Sequence, residues 1–451
     1  MKFSNLTIST FFSFILIAII VSGCTQKEVE NGTGSVLTWM KEHARPIKTI
    51  DPNSSNEDLS PLIDIVGNAR VVCLGDSRHD AHEQYVLKHR IIRFLVEEMG
   101  FSLLALEESF PDSDVINDFI LKGDGDPEDA LNKMGAWYIW NTEEIVALVE
   151  WMRDYNGDPN TGRKIKFYGI DITNPLPALQ STLSYLEQVD KEYFVTMNGE
   201  RAGLDLFRAR FWGQIMQKYY SIPPRDVDSL TNLYDGMLSR FQNKRAEYIK
   251  NSSQQRFEWI NQQLVTVRQA HELFTKGVRA TFQEAGDVRE KAMVDNIKWI
   301  LNHNTDRRLI VWAHNFHVAR DSLDLNIPNR PPTKGMVPMA HYLSNEIGED
   351  VVTIGFSFYE SDYREPLPPT QTDMIDAYFS RVGHSIFMID LRSAPKDGPV
   401  YEWLNRKQKM RGEGGVAEFV PANAYDAFIF IRKITHTIPT QSAILRFETL
   451  Q

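Results

Sequence analysis

The chain reads as an α/β fold, a mostly parallel sheet flanked by helices, with a helical insertion or subdomain. Three features predict this. Short apolar runs alternate with amphipathic stretches of helical length, the pattern of a parallel sheet covered on both faces. One long interior stretch has no β run. The chemically capable side chains fall just after the apolar runs.

The first run, 70–74, stops at Gly75. Residues 82–98 then place Tyr85, His89, Ile92 and Val96 near one face of a helix, which Gly100 closes. Further β runs are expected at 102–106, 164–170, 308–313, 351–356, 384–389 and 427–431, with helices at 114–122 and 142–155. Between about 179 and 303 the chain is charged and helically spaced, and is assigned as the insertion.

The N-terminus sets the expected compartment. Lys2 precedes an apolar run, 11–21, too short to span a bilayer and broken by small residues, so 1–23 reads as a secretory signal. Val21-Ser22-Gly23-Cys24 resembles the bacterial lipobox, which makes Cys24 the expected lipidation site and membrane anchor. Residues 24–45 are expected to form a tether and 46–451 the folded body, placed at the cell envelope. Cys73 is the other cysteine; with Cys24 acylated, stability must come from core burial, to which the 42% apolar content is suited. The formal charge is −11, and −12 once Lys2 leaves with the signal. That balance argues against nucleic acid as a partner.

His79, Glu107 and Asp171 each follow a predicted strand, and His314 and His317 follow another. A parallel sheet gathers such positions at its carboxyl edge, where ligands bind. The residues around them resemble the erythromycin esterase family. Gly75-Asp76-Ser77-Arg78-His79 looks like its G-E-S-x-H turn, and Leu87-Lys88-His89-Arg90 like its K-H-R segment. Leu104-Ala105-Leu106-Glu107, Trp140-Asn141-Thr142-Glu143-Glu144, Phe167-Tyr168-Gly169-Ile170-Asp171, Arg289 with Met293 and Asn296, and Trp312-Ala313-His314-Asn315-Phe316-His317 match later segments in order.

The resemblance implies a carboxylic ester hydrolase acting on a small bulky ester or lactone, such as a macrolide antibiotic, and hence antibiotic resistance. It places catalytic roles on His79, Glu107, His314, His317 and Asp76. Arg90, Lys88 and Asp171 are expected to bind substrate. Asp76 stands where the family pattern has glutamate, one methylene longer, so its carboxylate is expected to sit slightly withdrawn. His79 is assigned as general base, with Asp76 or Glu107 orienting it or anchoring the water; His314 or His317 would stabilise the oxyanion or protonate the leaving oxygen.

Two other chemistries are weighed. Ser77 lies on a strand-to-helix turn but lacks the second glycine of a nucleophile elbow. No cofactor is expected, although a divalent metal on His79, Glu107, His314 and His317 would suit imidazole and carboxylate donors; that alternative makes the chain a metal-dependent hydrolase or peptidase. A non-catalytic binding lipoprotein is the remaining reading. The aromatics Trp137, Tyr138, Trp140, Phe207, Phe211, Trp212, Tyr219 and Tyr220 are expected either to line a wide cleft or to be core.

Overall fold

The computed structural model describes residues 34–134, 138–197, 202–209, 212–327, 332–363, 372–412 and 415–448. The signal segment, Cys24, Trp137 and Phe211 lie outside the described residues. Residues 36–45, expected within the tether, belong to the folded body. Val36, Trp39, Met40 and Ala44 are buried in the core, and β1 (Arg45–Pro46) pairs with the main sheet. Val36, Trp39 and Met40 recur at helical spacing, which outweighs the charged residues between them.

All seven predicted runs are strands of one eight-stranded sheet. They are β2 (Val71–Leu74), β3 (Phe101–Ser109), β4 (Lys166–Asp171), β5 (Arg308–Trp312), β8 (Val351–Ser361), β9 (Ile386–Asp390) and β12 (Ala427–Ile434). The order across the sheet is β1-β9-β12-β8-β2-β5-β3-β4. From β12 to β4 every neighbour is parallel; β9 and β1 turn antiparallel at one edge. The central strands are buried on both faces, which is why they read as continuous apolar runs rather than alternating ones.

A second, antiparallel sheet joins β6 (Leu323–Asn326), β7 (Thr333–Met336), β10 (Gln408–Gly412) and β11 (Gly415–Phe419) in the order β10-β11-β6-β7. Its strands are short and half-polar, so no apolar run announced them. Among the described residues between Leu176 and Asn302 the secondary structure is helical, with a core of its own around Tyr185, Tyr234, Phe241, Leu264 and Phe274. Its last helix, Phe282–Asn302, starts from a capping box in which Thr281 and Glu284 satisfy each other's backbone donors. That fixed start orients the face carrying Arg289, Met293 and Asn296 onto β4, where Asn296 Nδ2 donates to Ile170 O at 2.8 Å.

Two glycines let the sheet edge close. A Cβ at Gly75 would fall 2.1 Å from Asn315 Oδ1, the amide that exchanges hydrogen bonds with the Phe356 backbone. A Cβ at Gly169 would fall 2.2 Å from Ser109 O and 2.5 Å from Glu108 O. The β3–β4 register slips between Leu106 and Ser109, a bulge that spans Glu107 and Glu108. Bulges re-aim side chains at sheet edges, and Gly169 leaves the room this one needs. Gly169→Ala is therefore expected to destabilise the protein by about 1–3 kcal/mol, the usual cost of overpacking, and to depress activity in the surviving folded fraction. A urea midpoint unchanged from wild type would refute this.

Candidate active site

The carboxyl edge of β2, β3, β4 and β5 brings His79, Glu107, Asp171, His314 and His317 together. The Gly75–His79 turn leaves β2 and is clamped against the β5 turn by Asp76 N donating to Ala313 O and Asn315 N donating to Asp76 O. Asp76 has no exposure and does not cap the following helix, which begins at His82. Its Oδ1 accepts from Lys88 Nζ at 2.7 Å and from Trp312 Nε1 at 2.8 Å. Its Oδ2 lies 2.9 Å from His79 Nδ1, an ion pair when the ring is protonated. The shorter carboxylate is thus not withdrawn: it reaches three partners. Burial raises its pKa, but Lys88 and His79 outweigh that and hold it below the usual carboxylate value.

His79 Nε2 faces Glu107, 3.9 Å from Oε2. Too long for a direct bond, that gap lets both atoms grip one water from two sides. Glu107 Oε2 also accepts from His314 N at 2.8 Å, while Oε1 takes Arg289 Nη2 at 2.7 Å and lies 3.1 Å from His317 Nε2. Burial opposes its charge; His317, His79 and Arg289 prevail and keep it ionised well below the normal range. Arg289 forks onto both oxygens of Asp171 at 3.0 and 2.9 Å, the bidentate geometry that makes such pairs strong.

The two histidines after β5 differ sharply. His317 bridges Glu107 and Glu290, whose Oε1 is 2.7 Å from Nδ1. Burial lowers its pKa, yet the two carboxylates raise it further, to about 10. It is an imidazolium at neutral pH. Arg289 Nη1, 3.2 Å from the same Nε2, is then a cation beside a cation, held there by the surrounding carboxylates. His314 is pushed down to about 3 by burial and by His79, whose ring centroid is 5.1 Å away. Its Nδ1 accepts from Phe316 N, so Nε2 carries the proton and points at Ser77 O, 3.3 Å off. A neutral His314 carries no charge but keeps its Nε2 proton as a hydrogen-bond donor.

Other expected residues fall elsewhere. Arg90 is buried but belongs to another place: it bonds the carbonyls of Thr49 and Ser55 and pairs with Asp58. Lys88 is fully buried beneath Asp76, and its ammonium, lowered to about 8 by burial, lies over the rings of Trp312 and Phe356. Both are corrected as substrate-binding residues. Lys88 positions Asp76, and Arg90 anchors the 49–58 loop. Asp171 reaches the centre only through Arg289. Ser77 is fully buried with its hydroxyl accepting from Gln84 Nε2 at 2.6 Å, and Ser77 N donates back to Gln84 Oε1, which removes it as a nucleophile. His82 is held 2.5 Å from Glu144.

Arg289 and Glu290 were missed as site residues because they sit seven residues into a helix, away from any strand end. The spacing of Arg289, Met293 and Asn296 on one helical face was the signal that could have found them. Trp312 was missed as a wall of the site, and Trp140 was expected only among the cleft or core aromatics. They pack edge-to-face at 5.5 Å, and Trp140 closes on His79 at 5.9 Å. Of the aromatics considered for a cleft, Trp140, Phe207 and Tyr219 are core, whereas Tyr220 is exposed.

Among the described residues no three His, Cys, Asp or Glu side chains converge as ligands. Glu107 and Asp171 are already held by Arg289, and Asp76 by Lys88.

The family model described as erythromycin esterase matches residues 96–434, and the chain belongs to that family. Erythromycin esterase type II of Escherichia coli is 24% identical over 426 residues, covering 91% of this chain and 92% of the relative. A protein from Bacillus cereus of solved structure shares the fold with a TM-score of 0.77 at 24% identity, over 91% of this chain and 99% of its own. An erythromycin esterase mutant, EreC, solved in its open conformation, does so with a TM-score of 0.71 at 17% identity, over 87% and 98%.

The raised pKa of His317 has a consequence for stability. Its folded value, about 10, exceeds the unfolded value of roughly 6.5. Its contribution is therefore complete below about pH 6.5 and is lost as pH rises toward 10. His317→Gln is expected to flatten the decline of stability across that window. Urea melts of wild type and variant with identical pH slopes there would contradict this.

Proposed function

We propose that this chain hydrolyses a bulky carboxylic ester, specifically the macrolactone ring of an erythromycin-like macrolide, by attack of a water activated by His79. The carrying observation is the His79–Glu107 gap, backed by the buried Asp76–Lys88 pair. Family membership supports hydrolysis, and the name of the Escherichia coli relative supports the substrate.

In this reading Asp76 holds the His79 ring so that Nε2 faces the gap. Glu107 aligns the water, and its oxygen adds to the acyl carbon as Nε2 takes the proton. Asp76 and Glu107 stabilise the resulting imidazolium. Arg289 and His317 supply positive potential beside Glu107 as negative charge develops on the acyl oxygen. The intermediate then breaks its ring C–O bond, and His79 returns the proton to the leaving alkoxide. The product is a hydroxy acid, heavier than the substrate by one water.

His79→Ala is expected to lower kcat/KM by at least roughly a hundredfold, the scale of a lost general base. Ser77→Ala should leave no less activity than Gln84→Ala, since both break one buried pair. Mass spectrometry of macrolides after incubation reads the added water; a trapped acyl-serine on Ser77 would sink the water mechanism. Activity is also expected to survive exhaustive chelation, and loss restored by one added divalent ion would reverse that expectation.

The same proposal places the protein at the bacterial envelope, anchored through a lipid on Cys24. The lipobox-like Val21–Cys24 stretch supports this reading; no helix among the described residues is long and apolar enough to cross a membrane. Cys24→Ala should move the protein from the detergent phase to the aqueous phase with its activity intact. Unchanged partitioning would end the idea.

A further inference from the structure

A second cleft, of about 710 Å³, opens at the other end of the elements that build the active site. It is lined by Lys166, the first residue of β4, whose last residue is Asp171. It is also lined by Trp299, ten residues along the helix from Arg289, about 15 Å at 1.5 Å per residue. The third wall is the start of the helix Gln254–Arg279, with Gln255 and Trp259. The cleft therefore lies on the seam between the helical region and the sheet, a common place for ligand sites.

Its walls combine flat apolar faces with planar polar groups. Trp259 and Trp299 are half-buried with ring centroids 5.5 Å apart. Phe110 backs both, 4.7 Å from Trp259 and 5.5 Å from Trp299. Trp259 is fixed at its edge, because Nε1 donates to Asp114 Oδ2 at 2.8 Å. The indole is thus pre-positioned, and a ligand would not have to order it. Around it stand polar groups that are only partly engaged. The Lys166 ammonium donates to an amide oxygen, Asn304 Oδ1 at 3.3 Å, and the Gln255 amide is exposed on the rim.

We propose that this cleft binds carbohydrate: a short oligosaccharide whose sugar ring lies on the Trp259 face while its hydroxyls meet Lys166, Asp114 and Gln255. A pyranose has one face of C–H groups and an equatorial belt of hydroxyls. It needs what is present here, an aromatic platform ringed by side chains that can both give and accept hydrogen bonds. A purely apolar ligand would strand the polar groups without partners, which is costly. A nucleic acid strand also stacks on aromatics, but the walls set Lys166 and Arg256 against Asp114 and Glu258, a balanced set rather than the cationic groove that phosphates require.

The cleft is separate from the hydrolytic centre, and its occupant is not the ester. The test uses the whole chain. Cellotriose, maltotriose and chitotriose are titrated separately while tryptophan emission and saturation-transfer NMR are followed, and pull-down on insoluble cellulose and chitin distinguishes free sugar from polymer as the source. At least one triose is expected to bind in the millimolar range or tighter. Trp259→Ala should weaken it roughly tenfold or more, as loss of an aromatic anchor does, with ester hydrolysis unchanged. If that variant fails to fold, Gln255→Ala with Lys166→Met takes its place and should weaken binding several-fold. Absence of binding by all three sugars, or equal binding by wild type and variants, would overturn the proposal.

Discussion

Glu107 must remain ionised although almost no water reaches it, and much of the site follows from that requirement. One oxygen is neutralised by Arg289 and His317; the other takes the His314 backbone N–H and faces His79. These partners come from the helix Phe282–Asn302 and from the turns after β2 and β5, so the carboxylate is fully compensated only when the helical region has docked on the sheet edge. Removing one partner of such a buried pair strands a charge, at about 3–5 kcal/mol. The active centre and the seam between layers are therefore one energetic unit.

The same bulge sorts two adjacent glutamates into opposite states. Glu107 is surrounded by cations. Glu108, its neighbour in sequence, is fully buried near Asp112, Asp171 and Glu107, and burial followed by those like charges drives its pKa well above normal. One is held toward its charged form and the other is pushed toward its protonated form by what each faces. Separating the states of nearby carboxyls is how a protein assigns roles among identical groups.

The sheet was legible because its central strands are buried on both faces and carry continuous apolar runs. The small sheet was not, since β6 and β7 are four residues each and half-polar. The strand-end residues could be read because a parallel sheet collects them at one edge whatever the details. Lys88 and Arg90 could not be separated. Two residues apart on a helix, they point about 200° away from each other, so at most one could serve the turn, and nothing in the sequence said which. Arg289 was hidden for a related reason: its role depends on how a helix docks across the sheet, a tertiary fact that strand-end logic does not contain.

The three histidines complete the picture. The β5 turn places His314 and His317 three residues apart, and their surroundings push them in opposite directions. His314, enclosed and beside His79, is driven down to about 3 by burial first and then by that neighbour; His317, between Glu107 and Glu290, rises to about 10 despite equal burial. A neutral ring beneath His79 supports it without competing for its proton. A charged ring beside Glu107 keeps that carboxylate ionised without removing it from the gap. Ser77 is committed to Gln84, and His79 Nε2 faces Glu107 Oε2 across 3.9 Å. An imidazole set between two carboxylates, Asp76 on one side and Glu107 on the other, is suited to moving a proton.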